Sequence, residues 1–130
     1  MSEFSVTVYM TPVGKGRPRM TKRGHVFTPL KTRQAENEFA RYVRLKMGVT
    51  NQWQAFQGPI RANLEFGFIR PKSSKREYPT VNPDIDNLIK MVLDSCNGIL
   101  YKDDVQVVSV TASKVYAAQA YIKLILTSVN

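Results

Sequence analysis

The chain has 130 residues, 43% of them hydrophobic and 10% aromatic, with 19 Lys and Arg against 10 Asp and Glu for a formal charge of +9. That composition is too apolar for intrinsic disorder, and the length suits one domain over residues 1–130 rather than two. No run of about 18 apolar residues and no charged, then apolar, leader is readable, so neither a membrane span nor a signal peptide is expected and the cytoplasm is the default compartment.

The sequence pI near 9.9 points to a polyanionic partner, because a basic surface gains free energy by releasing counterions from phosphates. The single cysteine, Cys96, has no disulfide partner in the chain and no neighbours for a thiolate zinc site.

In chain order, "FSVTVYM" alternates β-branched and aromatic residues and reads as a first strand over residues 4–10. The Gly- and Pro-rich stretch "TPVGKGRPRMTKRGHVFTP" follows as an irregular basic loop carrying Lys15, Arg17, Arg19, Lys22 and Arg23. Ala35, Phe39, Val43 and Met47 recur every four residues, which predicts an amphipathic helix over 31–47 ended by Gly48. "RANLEFGFI" predicts a second strand over 61–69, followed by a second basic loop with Arg70, Lys72, Lys75 and Arg76. The two loops hold nine of the 19 cations, a charge that nucleic acid or an anionic membrane would satisfy.

A second helix is predicted to start at Asp86 as N-cap, run to about residue 97 and stop at Gly98, burying Leu88, Ile89, Val92, Leu93 and Cys96. "DDVQVVSV" and "AYIKLILT" read as third and fourth strands, joined by a hairpin around 112–118. The expected fold is therefore α+β, in the order β-α-β-α-β-β, with a mixed four-stranded sheet packed by two helices. His25 is expected on the surface, and Trp53 and Phe56 in core or helix-end packing.

All five aspartates of this basic chain, Asp84, Asp86, Asp94, Asp103 and Asp104, lie within residues 84–104. An extended segment 83–86 would turn Asp84 and Asp86 to one side about 7 Å apart, and Lys90 follows Asp86 by one helical turn. Asp94 lies about 12 Å further along the helix from Asp86, which suits a supporting role. Asp103 and Asp104 end the short turn after the helix and open the third strand, which could return a carboxylate to the helix start if strand and helix pack antiparallel. Carboxylates gathered where phosphate must approach repel one another and the phosphate, and a magnesium or manganese ion removes both penalties while supplying phosphodiester chemistry. The bland alternative makes Asp86 a plain cap, Asp103 and Asp104 turn residues, and Lys90 with Asp94 a solvated helix pair.

"DIDNLIKMVLDSCNGILYKDDVQVV" and "GKGRPRMTKRGHVFTPLKT" resemble the RusA family of Holliday junction resolvases, endonucleases common in phages and prophages. The resemblance implies that Asp84, Asp86 and Asp104 are the metal-binding acids and Lys90 the essential lysine. Asp103, Asn87, Asp94 and Gln106 occupy matching supporting places. It also implies a homodimer, magnesium dependence and symmetrical nicking of four-way DNA in recombination and repair. A nuclease of broader branched-DNA specificity and a non-catalytic basic nucleic-acid-binding protein are the competing readings.

Overall fold

The computed structural model describes residues 3–50 and 55–129. Trp53 lies outside them. The elements are β1 (Glu3–Val8), β2 (Arg19–Met20), β3 (Val26–Phe27), α1 (Leu30–Thr50), β4 (Ile60–Phe68), α2 (Ile85–Ser95), a 3-10 turn (Asp104–Gln106), β5 (Val107–Tyr116) and β6 (Tyr121–Ser128). This is the expected single-domain α+β fold, with two helices on one face of a mixed four-stranded sheet ordered β1-β6-β4-β5. The first loop departs from the expectation of irregular structure, since β2 and β3 pair as a small antiparallel ribbon.

Strict alternation in β1 buries Phe4, Val6 and Val8, and β4 buries Ile60, Ala62, Leu64 and Phe66 on the same face. Onto them pack Ala35, Phe39 and Val43 of α1 and Leu88, Met91 and Val92 of α2. Phe56 and Cys96 join this core as expected, and burial pushes the Cys96 thiol up to about 12. On the opposite sheet face Ser5, Thr7, Asn63 and Lys123 meet solvent.

The last two strands do not form the expected hairpin. β5 runs to Tyr116 and pairs with β4 in parallel, and β6 inserts between β1 and β4, antiparallel to both. The side chains explain the choice. Ile122, Leu124 and Leu126 of β6 are fully buried and need a central position, whereas β5 carries Ser109, Thr111 and Ser113 and leaves Val108 and Val110 exposed, as an edge strand can.

Helix ends also differ from expectation. α1 continues through Gly48, because among the described glycines only Gly24 and Gly98 take the positive φ that turns a chain out of a helix. α2 begins at Ile85 with Asp84, not Asp86, at the N-cap, and the Asp84 carbonyl accepts the first helical bond from Leu88 N–H at 3.1 Å. It ends at Ser95, and Gly98 at φ +74° then reverses the chain and donates to the Tyr101 carbonyl at 2.7 Å.

Strand directions position the site. β1, β4 and β5 run the same way and β6 runs against β1 and β4, so the C-terminal ends of β1, β4 and β5 share one end of the sheet. Both basic loops leave from that end, and the second of them leads into the N-terminus of α2.

Candidate functional site

Asp84 is extended (φ −67°, ψ 146°) and makes no capping bond with its side chain. Asp86 is the second helical residue, where its charge complements the positive end of the helix dipole. The expected extended 84–86 pair is therefore replaced by one extended and one helical residue. The two nevertheless line one recess, with Tyr78, Val81, Ile85 and Lys114. Both side chains are exposed, and neither has a hydrogen bond or ion pair among the described residues. Lys114 on β5, to which the sequence assigned no role, anchors this corner: its Nζ donates to the carbonyls of Val81 at 2.6 Å and Pro83 at 2.8 Å. No local pattern could have indicated it, because the contact spans more than thirty residues. Lys90 is exposed one turn further along α2.

Asp103 and Asp104 do not return to the start of α2. The connection from α2 to β5 reverses the chain directly, so the start of β5 abuts the end of the helix. Antiparallel packing therefore places them beside Asp94, ten residues and about 15 Å along the axis from Asp84. Asn97 Oδ1 holds the Asp104 N–H at 2.9 Å. Burial, then hydrogen bonds and charge shared with Asp94 and Asp103, push the Asp104 carboxyl up to about 6. Gln106 clamps the same turn, accepting from Lys102 N–H at 3.0 Å and donating to the carbonyls of Phe56 and Gly58 at 3.0 and 3.1 Å.

Lys15 also departs from expectation. Its ammonium does not project into solvent with the other loop cations but pairs with Glu36 at 2.9 Å and Asp94 at 3.4 Å, with its side chain 16% exposed. Asp94 thus takes Lys15, not Lys90, as its partner. Burial pulls the Lys15 pKa down, but the hydrogen bond and charge of Glu36, followed by those of Asp94, leave it raised. Lys15 N–H donates to the Asn87 carbonyl and Gly16 N–H to Thr32 Oγ1, both at 2.9 Å. These bonds tie the loop between the two helices. Arg17, Arg19, Lys22, Arg23 and His25 are exposed, as are Arg70, Lys72, Lys75 and Arg76. The Arg70 guanidinium rests 4.8 Å from the centre of the Tyr116 ring.

A hard cation takes oxygen ligands, and exposed, unpartnered Asp84 and Asp86 have that chemistry. A three-carboxylate site within one chain is not formed: Asp84 and Asp86 stand at one end of α2, and Asp94, Asp103 and Asp104 at the other. Among the described residues no group of three or more His, Cys, Asp or Glu side chains is arranged to hold a metal ion. No helix among them is long and apolar enough to cross a membrane.

Fold and surface together define a two-layer α+β domain that gathers cationic loops and two free carboxylates at one end of its sheet, an arrangement suited to a polyanion. The family model for the endodeoxyribonuclease RusA matches residues 10–127. The chain belongs to the RusA endodeoxyribonuclease family. It is also 32% identical over 145 aligned residues to the uncharacterized protein YqaN of Bacillus subtilis (strain 168), covering all of this chain and 99% of that relative.

Proposed function

We propose that the chain is a magnesium-dependent, structure-selective DNA endonuclease that resolves Holliday junctions by paired symmetrical nicks during recombination and repair. Family membership supports endonuclease chemistry on branched DNA. The observation that carries the reading is the position of Asp84 and Asp86: two exposed carboxylates with no structural partner, set beside the basic loops of a +9 chain. Carboxylates at that place repel the phosphate that the loops attract, and this makes sense when a cation stands between them.

In this reading Asp84 and Asp86 of one chain are acids of the metal site, Asp104 could join them only from a second subunit, and manganese can replace magnesium. A bound ion supplies Lewis-acid stabilisation and a more acidic water. The exposed ammonium of Lys90 stabilises charge on the phosphoryl oxygens, and the two basic loops hold the arms through their phosphates. Two symmetrical cuts call for two sites in matching geometry, as in a two-fold homodimer. A second subunit also supplies a second copy of each carboxylate set, which matters because the sets of one chain lie at opposite ends of α2.

The test is single-turnover nicking of a synthetic four-way junction in magnesium, with gel-shift affinity measured alongside, for the wild type and Asp86→Asn. Because Asp86 caps nothing, the variant should fold and bind. Its cleavage rate should fall by about a hundredfold or more, the usual loss when one strong electrostatic contribution leaves a reacting centre. A folded Asp86→Asn protein cutting at the wild-type rate would overturn the assignment.

A further inference from the structure

Between the first basic loop, the start of α1 and the turn at Asn82-Pro83 lies a cleft of about 820 Å³, and Asp84 is on its wall. Its lining is chemically divided. Arg17, Arg19 and Lys31 supply cations, while Pro29, Phe68 and Pro83 supply an apolar surface. We propose that this cleft binds a single unpaired DNA strand, one or two nucleotides at a time, phosphates on the cationic side and bases or sugars on the apolar side. The inference rests on the endonuclease reading above and adds that nucleotides at the branch point leave their pairs and enter the cleft when the junction is bound.

Size and charge carry the argument. Pockets of roughly 300–1,000 Å³ enclose ligands of nucleotide size, so a cleft of this volume can take in a nucleotide, whereas a duplex can only lie across its mouth. Charge excludes an ordinary protein segment as occupant: residues 4–35 contain seven Lys and Arg and not one Asp or Glu. The cleft is also built rather than an opening between loose loops. Lys15 is anchored to Glu36, Asp94 and the Asn87 carbonyl, and Gly16 to Thr32. A Cβ at Gly14 would lie 3.0 Å from Pro83 Cβ, so the loop is seated on the turn that bears Asp84. A wall fixed in advance lowers the ordering cost of binding a flexible strand.

The β2–β3 ribbon, whose Arg19 also lines the cleft, exposes Met20 (67%), Val26 (66%) and Phe27 (45%) near Arg19, Lys22 and Arg23. Apolar side chains framed by cations suit contact with unstacked bases at an open branch point, as apolar wedges do elsewhere in DNA recognition. Because Arg19 belongs to both ribbon and cleft, a strand held in the cleft passes close to the ribbon.

The experiment measures anisotropy of a labelled short oligothymidylate and of a duplex of equal length, against salt, for the wild type and for Arg17→Ala/Arg19→Ala/Lys31→Ala. Photocrosslinking from 4-thiothymidine locates the bound strand. The wild type should bind the single strand at least about tenfold tighter than the duplex, a difference of 1.4 kcal/mol. The triple variant should flatten the single-strand salt slope by up to about 1.4, from roughly 0.7 for each of the one or two phosphates no longer neutralised. Crosslinks should fall in residues 11–19 and 82–87. Equal weakening for both ligands, or crosslinks confined to residues 70–76, overturns the cleft assignment. Nicking of a fully paired junction at unchanged rate by the triple variant overturns it too and leaves the endonuclease reading standing. Single-strand selectivity with the expected crosslinks, in a protein that nicks no branched substrate, upholds the cleft and overturns the endonuclease reading instead.

Discussion

Replacing Lys15 by Met removes a cation shared by two acids while keeping most of the side chain's apolar length. Glu36 and Asp94, with side chains 17% and 21% exposed, lose their common partner. Asp94 is then left beside Asp103 and Asp104. A solvent-exposed pair contributes under about 1 kcal/mol, and breaking a buried one costs about 3–5 kcal/mol. Groups about one-fifth exposed fall between, so about 2 kcal/mol is expected. At about 4 °C per kcal/mol for a domain of this size, Tm should fall by about 8 °C. Circular-dichroism melts of Lys15→Met, Glu36→Gln and the double variant close a mutant cycle, whose expected coupling is about 1 kcal/mol. The raised Lys15 pKa sets the sign with pH. Its stabilisation is fully present below the unfolded value of 10.5 and is lost as pH rises through the higher folded value. The salt slope of junction binding should stay unchanged in Lys15→Met. A melt within one degree of wild type together with a flatter salt slope would refute this account and return Lys15 to the DNA-contacting cations.

Asp104→Asn removes a carboxyl whose folded pKa, about 6, exceeds the ordinary 3.8, so ionising it opposes folding. The variant should match wild type near pH 4 and be more stable above pH 6, by about 1 kcal/mol after solvent screening, in melts across that range. Gly98→Ala should lower stability by about 1–2 kcal/mol in urea titrations, because φ +74° strains any side chain. Alanine at Arg70, Lys72, Lys75 and Arg76 should reduce the slope of log affinity against log salt on duplex arms by up to about 0.9 for each phosphate those side chains neutralise. Repeated chelation should abolish nicking and manganese restore it, whereas full activity in excess chelator would remove the metal from the mechanism.

The elements themselves could be read along the chain because each carries its own period. Residues 4–8 alternate as a strand with one wet face must, and Ala35, Phe39 and Val43 repeat at the spacing of a buried helical stripe. The tight run of five aspartates in a basic chain, and the motif around Asp84, Asp86 and Lys90, needed no coordinates either. The order of the strands was different. Whether β6 pairs with β5 or slips between β1 and β4 depends on which strand's apolar face must be central, a competition between segments more than fifty residues apart. The direct reversal from α2 into β5, which pairs in parallel with β4, decided the carboxylate geometry. It left Asp84 and Asp86 with the basic loops and carried Asp103 and Asp104 to the far end of the helix. Lys15 was decided the same way: in the sequence it is one cation among five in a loop, and only the approach of α1 and α2 sets Glu36 and Asp94 on either side of its ammonium. Charge type is written residue by residue, but the partner a charge finds is set by the low-dielectric packing around it, which exists only once the chain has folded.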